Sequence, residues 1–136
     1  MKVFLIFLLF AIFSSPMNLF SECVNGDCLN GYGTFIYPDG SKYEGEFKNG
    51  QFNEQGSLTF SDGIKMVGEF KSGLFNGQGS LTYPDGGRHE GEFKNGKFIN
   101  GEGTIIYSGG VKYEGKYKNG SRNGEGTIIY SDGKKY

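Results

Sequence analysis

From residue 43 onward the chain repeats itself every 23 residues, with one copy of 24. The copies are YEGEFKNGQFNEQGSLTFSDGIK (43–65), MVGEFKSGLFNGQGSLTYPDGGR (66–88), HEGEFKNGKFINGEGTIIYSGGVK (89–112) and YEGKYKNGSRNGEGTIIYSDGKK (113–135). Ahead of them CVNGDCLNGYGTFIYPDGSK (23–42) keeps the second half of the unit and carries a cysteine segment in place of the first strand. A period of this length means that one small supersecondary unit is stacked on the next, each covering the face its neighbour leaves open. The chain therefore divides into a leading segment (1–21), a partial first repeat (22–42) and four full repeats (43–136).

Within a unit two short runs alternate in character. Tyr43, Gly45 and Phe47 fall on one face of an extended strand and Glu44, Glu46 and Lys48 on the other, because strand side chains alternate with period two. In the second run Gly56, Leu58 and Phe60 oppose Ser57 and Thr59, and the pattern recurs at Gly79, Leu81, Tyr83 and at Gly103, Ile105, Tyr107. Turn signals separate the runs. Asp39-Gly40, Asp62-Gly63, Asp85-Gly86 and Asp132-Gly133 predict tight hairpins between units, and Asn49-Gly50, Asn95-Gly96 and Asn119-Gly120 predict longer connections at the other end. The expected fold is all-β: an elongated, twisted, single-layer antiparallel sheet of tandem β-hairpins, about nine strands long, preceded by a signal helix.

Such a sheet must make its core from one face. The sequence has 13 Phe, nine Tyr, no Trp and 25 Gly. Interior glycine normally weakens a strand, yet Gly45, Gly68, Gly91 and Gly115 share a face with Tyr43, Phe47, Phe70, Phe93, Tyr113 and Tyr117. A ring laid over a glycine covers bare backbone and gains contact area. The expectation is that each ring lies over a glycine of the next repeat, so that stability is close to a nearest-neighbour sum.

The first residues obey different rules. Met1-Lys2 precede an unbroken apolar run from Val3 to Phe13, followed by Ser14-Ser15-Pro16. This predicts a secretory signal, since a spanning helix needs about twenty apolar residues; an uncleaved anchor through residues 3–20 is the alternative. Cys23 and Cys28 follow at once and bracket an Asn-Gly turn. In an oxidising compartment they predict a disulfide. Lipidation of Cys23 is the rival reading, with Glu22 directly before the cysteine against it. Two sulfurs and a single distant His89 do not make a tetrahedral metal site. Fourteen basic and 15 acidic residues, net charge -1, give no single-sign field of the kind that attracts nucleic acid.

The units resemble the MORN (membrane occupation and recognition nexus) repeat, with YEGEFKNG at 43–50, EGEFKNG at 90–96 and GTIIYSDG at 126–133 near its pattern YxGEFxNGxxxGxGxxxYxDG. With its signal-like start the chain resembles the secreted bacterial-type members. The resemblance covers residues 23–135 and implies an extended hairpin sheet used for scaffolding, self-association or contact with acidic lipids. Met66 and His89 depart from it by replacing the first Tyr, as does Gln51–Gln55 by replacing the glycine-bearing linker.

His89 is the only histidine, and it occupies the position of Tyr43 and Tyr113. It reads as a packed ring rather than a base, which would need a nucleophile and an orienting partner. The Asp-Gly turns lack calcium-loop spacing. Glu44, Glu46, Lys48, Glu69, Lys71, Glu90, Glu92, Lys94, Glu114, Lys116 and Lys118 form a striped polar face that keeps an open sheet soluble. Lys112, Lys116, Lys118, Arg122, Lys134 and Lys135 make the C-terminal end basic, a candidate contact for a partner or for anionic lipid. No catalytic residue, metal or cofactor is expected. The leading reading is an exported scaffold that uses its aromatic face and sheet ends to contact a protein partner or a second copy of itself. A peripheral membrane-binding module comes second, a carbohydrate binder third and an enzyme last.

Overall fold

The computed structural model describes residues 21–136, so the expected signal helix lies outside the described residues. Ten strands follow one another: β1 (Glu22–Gly26), β2 (Tyr32–Ile36), β3 (Lys42–Lys48), β4 (Gln51–Thr59), β5 (Lys65–Lys71), β6 (Leu74–Thr82), β7 (Arg88–Lys94), β8 (Lys97–Ile106), β9 (Lys112–Lys118) and β10 (Ser121–Ile129). They form one open antiparallel sheet in sequence order. The cysteine segment, expected to replace a strand, is itself a strand, β1, which raises the nine expected to ten. Cys23 pairs with Phe35 and Gly26 with Gly33 across a bulge, the same places that Tyr43 and Gly45 hold opposite Leu58 and Gly56. Backbone pairing tolerates the altered side chains because the bulge absorbs one surplus residue.

The two kinds of turn are reversed in length relative to expectation. Asn49-Gly50, Ser72-Gly73, Asn95-Gly96 and Asn119-Gly120 are two-residue turns with φ of 50 and 73°, 50 and 81°, 50 and 80°, and 51 and 75°, the positive-φ pair of a type I′ hairpin. The Asp-Gly connections are the longer ones. Phe60 N–H donates to Ile64 O (2.8 Å), Gly63 N–H to Phe60 O (3.0 Å), and Ile64 N–H to Asp62 Oδ1 (3.1 Å). The aspartate thus closes its own turn and leaves room for a five-residue loop.

Glycines face glycines along the sheet: Gly33, Gly45, Gly56, Gly68, Gly79 and Gly91 pair in succession. The row then jogs. In β3–β4 the single Glu46 faces three residues, 53–55. The extra residue of the 24-residue repeat would make that bulge one against four if Gly91 stayed opposite Gly103. Instead β8 slips by two, pairing Gly91 with Gly101, and the bulge shrinks to Ile99 between Asn100 and Phe98. A slip of two keeps every side chain on its face, whereas a slip of one would invert the strand. Beyond the slip Gly103, Gly115 and Gly126 resume the row.

The core is a layer of rings on one face. Tyr43, Phe47, Phe70, Phe75, Phe93, Tyr113 and Tyr117 are buried, Tyr43 and Phe93 completely. Tyr43 stacks on Phe52 (centroids 3.7 Å, planes 8° apart), and Phe47 and Phe70 meet the pair edge-on. Rings mostly cover glycines of their own hairpin rather than the next one: Tyr43 lies over Gly56, Phe75 over Gly79 and Tyr113 over Gly126, while Tyr117 reaches back to Gly103. Two other contacts couple the repeats. Ring meets ring at Tyr43–Phe70 (5.2 Å), Phe75–Phe93 (4.6 Å) and Phe98–Tyr117 (5.5 Å). Each type I′ turn also donates to the repeat before it, Gly50 to Leu29 O, Gly73 to Phe52 O, Gly96 to Phe75 O and Gly120 to Ile99 O, at 2.8–2.9 Å.

A Cβ added at Gly56 would sit 2.3 Å from the Tyr43 hydroxyl oxygen. Gly56→Ala is expected to lower unfolding free energy by about 1–3 kcal/mol through overpacking. Ser57→Ala, on the opposite face, should change it by no more than about 0.5 kcal/mol. Urea titrations of the two variants check the difference.

Candidate functional site

The candidate surfaces are the two faces of the sheet and its ends. On the aromatic face Tyr43 is closed to chemistry: its hydroxyl donates to Glu46 O (3.0 Å), and burial pushes the phenol up to about 12. The predicted face residues Tyr43, Gly45, Phe47, Gly68, Phe70, Gly91, Phe93, Tyr113, Gly115 and Tyr117 all lie in this ring-and-glycine layer.

His89 departs from its repeat relatives because of the slip in β8. Tyr43 faces Leu58 and Met66 faces Leu81, but His89 faces Gly103. It is packed among Phe98 (4.8 Å), Tyr117 (5.5 Å) and Tyr83 (6.0 Å). Its Nδ1 has no hydrogen-bond partner among the described residues. Burial lowers its pKa, because the imidazolium would lose water without gaining an acceptor. The environment is that of a neutral packed ring.

Arg122 is the residue that sequence reasoning grouped wrongly in space. In the repeat alignment it takes the position of Phe52, Phe75 and Phe98, and it pairs with Tyr117 as Phe52 pairs with Phe47. Its guanidinium carbon lies 4.2 Å from the centroid of Tyr113 and 5.8 Å from that of Tyr107, and it donates to the Tyr107 hydroxyl. That bond holds its pKa above the ordinary range. A cation over a ring thus stands where the first repeat stacks Phe52 on Tyr43. The signal was in the repeat alignment, which placed Arg122 in a ring position, whereas counting charges alone placed it in a basic patch.

The six cations of the C-terminal end are not brought together. Arg122 belongs to the aromatic face, while strand alternation puts Lys112, Lys116 and Lys118 on the other. Lys112 pairs with Glu114, Lys134 pairs with Asp132 at 3.2 Å, and Lys135 bridges to Ile129 past the last turn. Other cations on the charged face open their strands with a glutamate two residues on: Lys42–Glu44 at 2.8 Å and Arg88–Glu90. Glu90 also stands directly opposite Glu102, and Glu102 opposite Lys116. With Arg88, Glu114 and Glu125 these line a shallow groove of about 680 Å³ in which both signs are interleaved.

At the other end Cys23 and Cys28 are joined by a disulfide, with Cα atoms 5.9 Å apart, as expected, but not across the expected Asn25-Gly26 turn: both residues pair within β1, with Thr34 and Gly33, and the chain turns only after Asp27. This removes both sulfurs from metal ligation. No group of three or more His, Cys, Asp or Glu side chains able to hold a metal occurs among the described residues. Nor, among those residues, is any helix long and apolar enough to cross a membrane.

Two outcomes follow. The folded-state pKa of His89 lies below its ordinary 6.5, so the unfolded chain binds more protons as pH falls through that range, and stability is lost on acidification below about pH 6.5. His89→Phe should flatten that part of the stability–pH curve, measured by urea unfolding between about pH 5 and 8. Arg122→Phe should raise the urea midpoint by restoring the ring of the other repeats, and Arg122→Ser should lower it; equal midpoints would mean that the stack contributes nothing.

The sequence profile described as MORN repeat matches residues 29–42, 43–65, 67–88, 89–112 and 113–135, the same units that the hairpins define. No curated protein matches the chain. Five successive matches over most of the length, on a sheet whose hairpins repeat in the same steps, place the chain in the MORN repeat family.

Proposed function

We propose that this protein is an exported, non-enzymatic scaffold that uses its sheet to hold a protein partner or a second copy of itself. MORN repeats are generally protein- and membrane-interaction repeats and a non-catalytic family. The observation that carries the proposal for this chain is the single-layer architecture. The aromatic face, expected to supply the contact, is consumed by its own rings, and the other is an exposed strip of interleaved charge crossing strand after strand. A surface of that kind supplies contacts over a long, rigid span rather than an enclosed site. Apolar residues left exposed among the charges, Tyr32, Val67 and Leu74, give such a contact anchors that are desolvated on docking.

Export is supported by the signal-like start and by the disulfide, since disulfides persist in oxidising compartments. Protein contact is favoured over the alternative, an anionic membrane surface, by the division of the C-terminal cations between two faces. A flat bilayer attracts cations that lie on one side.

Sedimentation equilibrium over about two decades of concentration, followed by capture of partners from the native extracellular fraction, tests the reading. A mass that rises with concentration, or a partner released by Val67→Asp, supports it. A single-chain mass throughout, with salt-reversible flotation on anionic vesicles and no protein partner, would replace it with the membrane reading.

A further inference from the structure

Every full repeat shields a backbone glycine with a ring: Tyr43 over Gly56, Phe75 over Gly79, Tyr117 over Gly103, Tyr113 over Gly126. The first, partial repeat has no such ring. In its place stands the disulfide. Cys23 holds the position of Tyr43, opposite Phe35, and a Cβ added at Gly33 would lie 2.8 Å from Cys28 Sγ. Cys28 also packs against the ring cluster and lies 3.4 Å from Thr34 O. The disulfide therefore stands in for the aromatic cover of the glycine row.

Among the described residues little else holds β1 down. All five of its residues are exposed, none of its side chains belongs to the core cluster, and its ladder to β2 has four residue pairs broken by a bulge. Cys23, exposed, is open to attack by a thiol, while Cys28 is half-buried. Among the described residues β1 is thus attached by a short, bulged ladder and one reducible bond.

We propose that the Cys23–Cys28 disulfide is a redox latch on the N-terminal end of the sheet: oxidised, it seats β1 over Gly33 and along β2; reduced, it lets β1 leave and bares the edge of β2. The chemistry is thiol–disulfide exchange with a dithiol reductant. A reductant thiolate attacks Cys23 Sγ, the S–S bond breaks and Cys28 departs as a thiolate that takes up a proton. The second thiol of the reductant then displaces Cys23 as a thiol and closes the reductant's own disulfide. Two electrons pass from the dithiol to the protein. The bared edge carries Gly33-Thr34-Phe35-Ile36, of the same type as Gly56-Ser57-Leu58-Thr59, which is paired on both sides by strands of this sheet, so it is a ready acceptor for another strand. This inference deepens the scaffold reading, on which its consequence for contacts rests, by making one end of the surface conditional on redox state.

Hydrogen–deuterium exchange of the full chain, oxidised and then reduced with tris(2-carboxyethyl)phosphine, tests it. Reduction should speed exchange of the β2 amides that face β1, within residues 32–36, by about 30-fold, the size expected for releasing a loop of this length, and leave residues 65–82 unchanged. Cys23→Ser, which keeps the Cys28 sulfur over Gly33 but cuts the tether, should show the fast exchange without reductant. Unchanged protection of those amides in the reduced chain, with both thiols confirmed by alkylation, overturns the latch, as does full protection in Cys23→Ser. Sedimentation of the same samples separates the two ideas: an opened β2 with a single-chain mass in both states keeps the latch and removes self-association as its use.

Discussion

A sheet one layer thick has no second layer to bury its apolar face against, so that face must be covered by its own side chains. Here the solution is contact between an aromatic ring and a glycine. The ring of Tyr43 can lie flat only because Gly56 and Gly45 present no side chain beneath it, and Phe52 then closes over it at stacking distance. Such ring pairs are worth about 0.5–1.5 kcal/mol beyond the area they bury. The usual cost of glycine inside a strand is offset by the ring contact it permits. Glycine and ring are thus a single device, divided between two strands at Tyr43–Gly56, Tyr117–Gly103 and Tyr113–Gly126 and carried on one strand at Phe75–Gly79.

Apart from Tyr117 over Gly103, the repeats are coupled by means other than that device. Most rings cover glycines of their own hairpin, and the repeats join through ring-to-ring edges and through the type I′ turns, each hydrogen-bonded to the repeat before it. Local cover with nearest-neighbour joints makes a unit tolerant of change. Met66, His89 and Arg122 each replace a ring of the repeat, and the sheet continues through all three positions. The 24-residue copy is tolerated for a different reason: a slip of two residues preserves the faces, so the insertion costs a jog in the glycine row and a new neighbour for His89.

The opposite face follows electrostatics instead of packing. Its short-range pairs join residues two apart on one strand and are exposed, so each contributes little to stability. Their value lies in solubility and in discouraging wrong edge pairing, while leaving a long charged strip available for a partner.

The sequence alone determined the class of fold, the sheet's strand alternation and the faces of Tyr43, Gly45, Phe47 and their repeat equivalents, because a period of 23 with alternation of two admits no other arrangement of core and surface. It also pointed to the pairing of Cys23 with Cys28 through their closeness in the chain, although the Asn25-Gly26 turn expected to join them is part of β1 instead. Which glycine lies under which ring, the reversed lengths of the Asn-Gly and Asp-Gly connections, the strand character of the cysteine segment and the separation of Arg122 from the lysines were decided by the tertiary structure. Each depends on registry between strands, and registry is a compromise among bulges, turns and ring packing that no single strand's sequence contains. The slip in β8 makes the reason plain: one inserted residue is visible in the chain, but whether it lengthens a bulge or shifts a strand is settled only where β7 and β8 meet.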